Sequence, residues 1–401
     1  MAVKPPISEQ RILIWMCLII AINQIGFGAL VPVLPLYAQS FGVSASAVGM
    51  TIGIYGLARF VIAMPTGRLA DQLGRRPTLA LGGLVSGVGN LWCALAGNFT
   101  EFMLARFAAG VGAGIVLTVG AVILADISTP ARRGRMMSLY QGAFLFAVGI
   151  GPLPGGLLAE AFGLRMPFMF YAVAGLIAAF VVWFAIPETR DRSNNRRTDQ
   201  SEPELPFMQQ MRLLLRKPAF MLVSLVGFTQ AVVRTGGLFS IVPVLAADQI
   251  GLSADRIGFG MALGILVGLL VAYPGGVVAD KFGRKAVIVP ATVLVGVSMA
   301  SFCVAQTFGW YVASCLAWGA AASFSSAAPQ AYAADAAPAG MNAAAISGFR
   351  MLSDVGYVVG PIGLGLMVDW RGASQSLLFA AAIVIVSGML FARYAPETHR
   401  S

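Results

Sequence analysis

The stretch Gly67–Arg76, GRLADQLGRR, decides the reading of the chain. From Ala47 to Thr66 the only charge is Arg59, and then Arg68, Asp71, Arg75 and Arg76 arrive within ten positions. The design returns at Gly276–Lys285, GVVADKFGRK, where Asp280 stands 209 residues after Asp71. Two charged knots of one pattern interrupt a chain of 401 residues that is 58% hydrophobic and 11% charged. Soluble domains carry about 25% charged residues, so this composition belongs in a bilayer.

Apolar runs of about 20 residues recur along the whole length, each long enough to cross a hydrocarbon core of ~30 Å as a helix. Strand-like alternation is missing, and lipid-exposed backbone must satisfy its own hydrogen bonds, which leaves helices. The 47 glycines suit close helix packing through small-residue contacts. Twelve spans are predicted: 11–35, 46–67, 78–97, 101–126, 135–159 and 165–187, then 218–246, 255–278, 286–306, 309–334, 342–368 and 373–394. The first run has no small-residue cleavage site and reads as a retained span, not a signal peptide.

With both termini placed in the cytoplasm, the inner loops and tails hold twenty Lys and Arg against three outside: Arg165, Arg256 and Arg371. That bias fixes the predicted orientation and accounts for the net charge of +10 without nucleic acid. Cys17, Cys93, Cys303 and Cys315 lie inside apolar runs without metal-ligand spacing, and the only histidine, His399, sits in the tail. No metal, cofactor or catalytic centre is expected, and no phosphate-binding GxxxxGK[ST] loop appears that would couple the chain to ATP. An enzyme is therefore the least favoured class.

Residues 188–217 are the one shift in composition. They begin as a polar linker, ETRDRSNNRRTDQSEPE, and end in PFMQQMRLLLRK, which fits a short amphipathic helix on the inner leaflet. The division is thus 1–187, an N-terminal six-helix bundle; 188–217, a cytoplasmic linker; and 218–401, a C-terminal six-helix bundle. The halves repeat: Asp126 and Asp335 are 209 apart, Gly151-Pro152 and Gly360-Pro361 echo each other, and PET recurs at Pro187 and Pro396. The expected fold is an all-α polytopic membrane protein, with two bundles related by a pseudo-twofold axis along the membrane normal. A substrate site is expected between them near the midplane.

The chain resembles the twelve-span drug:proton antiporters of the major facilitator superfamily over essentially its full length. Gly67, Asp71, Gly74, Arg75 and Arg76 match the signature loop after span 2. Ile25-Gly26 with Pro32-Val33-Leu34-Pro35 matches span 1, and Arg106 with Gly110 and Gly112 matches span 4. Gly151, Pro152, Gly155 and Gly156 match the antiporter motif of span 5, although Ala147 replaces its leading glycine. The resemblance implies a cytoplasmic gate in which Asp71 faces the start of span 11 and Arg75 pairs with Asp126, repeated by Asp280, Arg284 and Asp335. It implies packing of span 5 on span 8 as well. It also implies export of small molecules by alternating access, with protons as the coupling ion and the bilayer as surroundings, in a protein that works as a monomer.

Charges inside hydrocarbon are costly, so each is a functional candidate. Arg59, Arg106, Arg234, Arg350 and Asp354 all fall within spans. Arg59 and Asp354 lie roughly 12 and 18 Å deep at 1.5 Å per residue, so a pair between them is one reading and an Arg350–Asp354 pair is the other. Asp354 leads the proton-coupling candidates, with Arg59, Glu160 and Arg106 beside it. Arg106 either snorkels to the outer face or points into the cavity. Span 1 reads AINQIGFG, with Asn23 and Gln24 where many drug antiporters keep an acid, and Arg234 falls opposite Gln24 in the repeat. Further cavity candidates are Tyr55, Gln141, Gln230, Phe239, Trp318 and Tyr357. A neutral-to-positive cavity favours anionic, zwitterionic or neutral amphiphiles over cations. The expectation is an exporter of hydrophobic or amphiphilic molecules, with a lipid or glycolipid flippase as alternative and a non-transporting sensor behind both.

Overall fold

Glycine turns recur in this helical chain at one common offset. In the computed structural model, which describes residues 9–128, 130–189, 207–324, 327–338 and 341–397, six residues have positive φ, all of them glycines. They form three pairs 209 residues apart with nearly equal angles: Gly42 and Gly251 (72° and 69°), Gly74 and Gly283 (101° and 97°), Gly163 and Gly372 (91° and 87°). The internal repeat is therefore written into the backbone at its turns as well as into the sequence.

Among the described residues every regular element is helical. The first half contains α1 (Glu9–Leu30), the short α2 (Leu34–Gln39), α3 (Ala45–Leu73), α4 (Arg75–Leu95), α5 (Phe99–Ile127), α6 (Pro130–Ile150), α7 (Pro152–Phe162) and α8 (Met166–Ala185). Next comes α9 (Phe207–Leu215), which buries Gln210, Met211 and Leu214. The second half contains α10 (Pro218–Val232), a π-helical segment Val233–Ile241, α11 (Val242–Ile250), α12 (Ala254–Phe282), α13 (Arg284–Ser301), α14 (Phe308–Phe324), α15 (Ala328–Asp335), α16 (Asn342–Arg371) and α17 (Ala373–Tyr394). The linker residues 190–206 lie outside the described residues.

Eleven helical segments among the described residues are long and apolar enough to cross a membrane. The twelfth expected span, 309–334, is described as α14 and α15 on either side of residues 325–326, which lie outside the described residues. Exposed Leu, Ile, Val, Phe and Trp side chains run along these helices, as lipid-facing surfaces require.

The chain falls into two compact units, residues 1–31 with 54–202 and residues 32–53 with 203–401. In the first, α4 packs on α5 and α8, and α1 packs on α6 and α8. In the second, α13 packs on α14 and α17, and α10 packs on α16 and α17, the same pairs one repeat later. The sequence division at 187 kept residues 32–53 with the first half, whereas they pack in the second unit. The reason is steric and polar: a Cβ at Gly49 would lie 2.0 Å from the Pro361 carbonyl oxygen. Likewise, the Asp369 carboxylate accepts from the Ala45 and Ser46 amides at 2.8 and 3.0 Å, capping the open N-terminus of α3.

Candidate functional site

The charged knot is a closed hydrogen-bonded network within the first unit. Arg75 opens α4, and its guanidinium donates from Nε to Asp126 Oδ2 at 3.1 Å and from Nη1 to Asp71 Oδ1 at 2.5 Å. The Arg75 and Asp126 side chains are only 5% and 9% exposed, while Asp71 is 48% exposed. A buried guanidinium is costly unless its donors are met, and two carboxylates from α3 and α5 meet this one. Thr189 Oγ1 donates to the same Asp126 oxygen at 3.3 Å.

Glu188, the acid of the first PET, completes the knot. Its Oε1 accepts from the Arg75 amide at 2.8 Å and its Oε2 from the Arg76 amide at 3.2 Å. The carboxylate therefore caps the N-terminus of α4, where orphan donors and the helix dipole favour negative charge. Gly74 makes this possible twice over: its φ of 101° suits glycine, and a Cβ there would lie 2.5 Å from Glu188 Oε2. Arg76 turns away from the carboxylates, its guanidinium 4.7 Å above the Trp183 ring. Gly67 has open space around it.

The second copy uses the same parts more loosely. Arg284 Nε lies 3.5 Å from Asp335, with side chains 25% and 43% exposed. Glu397, the acid of the second PET, accepts from the Lys285 amide at 3.2 Å, and Gly283 again leaves room for it. Tyr332 Oη donates to the Pro396 carbonyl at 2.6 Å. Asp280 lies on α12, and its side chain is outside the described residues.

A second polar cluster fills the interior of the first unit. Arg106 on α5 is fully buried at 1% exposure, and its guanidinium lies 4.3 Å from the Tyr55 ring centre. The snorkelling alternative is thereby overturned: Gly110, one turn on, has Tyr55 backbone against it, so α3 covers Arg106. Arg59 is half-buried, with its guanidinium 6.0 Å from the same ring. Tyr55 Oη and Tyr171 Oη are 3.4 Å apart, and Tyr171 donates weakly to Asn23 Oδ1 at 3.5 Å. Asn23 is wholly buried, and among the described residues its Nδ2 has no partner. Gln24 is buried beside it in sequence, at 5% exposure. Tyr171 escaped the sequence reading because one tyrosine among nine in an apolar span carries no pattern of its own.

The remaining candidates scatter. Gln230 Nε2 donates to Thr292 Oγ1 at 3.0 Å, which gives it a structural partner. Arg234 and Phe239 lie in the π-helical segment, Arg234 exposed and Phe239 half-buried. Such segments widen a helix by one residue per turn and recur at functional sites. Trp318 is 7% exposed, and its Nε1 has no partner among the described residues. Tyr357 is half-buried, and its carbonyl accepts from Thr235 Oγ1 at 3.3 Å. Asp354 on α16 is exposed, as are Glu160 and Gln141. Cys93 and Cys315 are buried free thiols, and Cys17 and Cys303 are half-buried ones.

The span 5 motif lies at the joint between α6 and α7, which together run as one segment over Arg135–Phe162. Gly151 keeps helical angles (φ −54°, ψ −43°) and donates to the Ala147 carbonyl at 3.1 Å, while Pro152 and Pro154 just after it supply no backbone donors. Gly151 and Gly155 press directly on α1: an added Cβ would lie 2.6 Å from Gly28 Cα and 2.0 Å from the Ala29 oxygen, respectively. Gly156 is buried in the same turn. In the second unit the equivalent Pro361 sits inside an unbroken α16.

Repeated helical units, membrane-length apolar helices and a charged knot at the same joint of each unit define a polytopic membrane transport scaffold. The sequence profile described as Major Facilitator Superfamily matches residues 16–253 and 232–401, and the chain belongs to that family. It is 24% identical over 368 residues to an uncharacterized MFS-type transporter of Methanocaldococcus jannaschii, covering 92% of this chain and 94% of that one. It is 27% identical over 229 residues to multidrug resistance protein 2 of Bacillus subtilis, 57% of each chain. The fold is similar to the crystal structure of a bacterial homolog of the human lysosomal transporter Spinster. There the TM-score is 0.81 at 16% identity, over 98% of this chain and 97% of that one.

Proposed function

We propose that this transporter is a secondary active exporter of hydrophobic or amphiphilic small molecules, driven by proton antiport through alternating access. The observation that carries the reading is the doubled knot. Arg75 is held by Asp71 and Asp126 in one unit, and Arg284 and Asp335 repeat the arrangement in the other. Such charge clusters at matching joints are suited to making and breaking contacts as two halves exchange states. The likeness to multidrug resistance protein 2 supports the substrate class. The charge bias of the loops supports an orientation with both termini cytoplasmic in a bacterial inner membrane. Asp354, the carboxylate within α16, is the first choice for the coupled proton.

A second reading, a lipid flippase or exporter of anionic amphiphiles, is favoured by one feature. The interior of the first unit presents Asn23, Gln24, Arg59 and Arg106 where a cation exporter would place an acid. Purified protein reconstituted into liposomes with an imposed pH gradient separates the two. Antiport requires uptake that follows the gradient and collapses when it is dissipated, with Asp354→Asn losing that dependence. Movement indifferent to the gradient removes the antiport claim and leaves flipping or facilitation.

A further inference from the structure

The internal repeat supplies its own control for the polar cluster in the first unit. Moving each member forward by 209 residues gives its counterpart in the second unit. Tyr55 becomes Gly264, Arg59 becomes Gly268, Asn23 becomes Val232, Arg106 becomes Cys315 and Tyr171 becomes Ala380. The counterpart positions are apolar and well packed. Val232, Cys315 and Ala380 are at most 6% exposed, and a Cβ on Gly264 would lie 2.4 Å from the Cys315 oxygen. One helix architecture is thus closed by small and apolar residues in one unit and filled with two guanidiniums, two phenols and an amide in the other. The fold does not need the cations, and cations in a membrane interior are expensive to keep.

Their arrangement indicates what they are for. Arg106 is sealed behind the Tyr55 ring at 4.3 Å, and Arg59, on the same helix as Tyr55, is the partly exposed member. The ring's electron-rich face is already in use by positive charge, so it is not available to an incoming ammonium group. A third cation would also meet two like charges in a medium of low dielectric, whereas an anion would be drawn by both.

We propose that this cluster receives the anionic head of an amphiphilic substrate, such as a carboxylate, sulfonate or phosphate carried on an apolar tail. Arg59 contacts the head group. Arg106 is a positioning residue that holds the Tyr55 ring and adds positive potential behind it, and the Tyr171–Asn23 chain fixes the phenols. This inference rests on the export reading above and narrows its substrate class.

Equilibrium dialysis of the purified full chain near neutral pH tests it with three probes that share one tail: decanoate, decyltrimethylammonium and decanol. Decanoate is expected to bind wild type about tenfold or more tightly than decyltrimethylammonium, the scale of one charge-assisted contact. Arg59→Gln should erase that preference while decanol affinity stays unchanged. Because Arg106 is packed on all sides, Arg106→Lys accompanies Arg106→Gln; the lysine variant should keep a preference for decanoate that the glutamine variant loses. Equal binding of decanoate and decyltrimethylammonium to wild type overturns the proposal, as does a loss of all three probes together in Arg59→Gln. Transport of the probes in liposomes separates the two claims. Movement of decyltrimethylammonium without decanoate binding overturns the site and leaves export standing. Decanoate binding without movement of any probe keeps the site and removes export.

Discussion

Asp126→Ala and Asp335→Ala remove the same carboxylate from the two copies of one design, yet their costs should differ severalfold. In the first unit the substitution deletes the 3.1 Å bond from Arg75 Nε and the 3.3 Å bond from Thr189, around a guanidinium 5% exposed. Hydrogen bonds to charged groups contribute about 1.5–3 kcal/mol, and stripping one partner from a buried pair costs about 3–5 kcal/mol. Asp71 remains on Arg75 but is 48% exposed, so it compensates in part and the expected loss is about 2–3 kcal/mol. In the second unit the pair is 3.5 Å long between a half-buried Arg284 and an exposed Asp335, and solvent-screened pairs contribute about 0–1 kcal/mol. Thermal unfolding of both purified variants in one detergent, followed by tryptophan fluorescence, ranks them without assuming a two-state transition. The expected order is wild type close to Asp335→Ala, with Asp126→Ala well below. A drop for Asp335→Ala equal to or larger than that for Asp126→Ala refutes the argument, since burial would then not set the strength of these pairs.

Two further outcomes follow from local geometry. Gly155→Ala places a methyl 2.0 Å from the Ala29 carbonyl and should destabilise by about 1–3 kcal/mol. Gly142→Ala, on the same span with open space around it, should instead be neutral or stabilise by up to about 1 kcal/mol. Melting temperatures of the pair check this, and equal shifts count against the close packing of α7 on α1. Asp369→Ala removes the cap on α3, worth about 0.5–2 kcal/mol, and should speed amide hydrogen exchange over residues 45–48. Unchanged exchange there means the cap does not hold the helix end.

The fold was largely legible because its causes are local or periodic. Apolar runs of membrane length, basic loops and a repeat of 209 residues require no knowledge of which faces meet, and the paired glycine turns follow the same offset. The knot was legible in part. The family resemblance points to a site shared by Asp71, Arg75 and Asp126, but Glu188 stands in the sequence only as half of a repeated PET, with no role attached. A carboxylate 113 residues from the amide it caps leaves no trace in local sequence. The interior cluster was the least legible. Arg106 and Tyr55 could be named as polar residues in apolar spans, but helix rotation decides whether an arginine reaches water or lies against a ring, and rotation is set by packing.

The sequence by itself determined that this chain is helical, membrane-spanning and duplicated, because hydrophobic length and charge bias act on each segment separately. Only the tertiary structure decided that Arg75 is buried between two carboxylates, that Arg106 is enclosed behind Tyr55, and that residues 32–53 pack with the second unit. Those outcomes depend on which side chains face one another across helices distant in sequence, and burial then sets what each charge is worth.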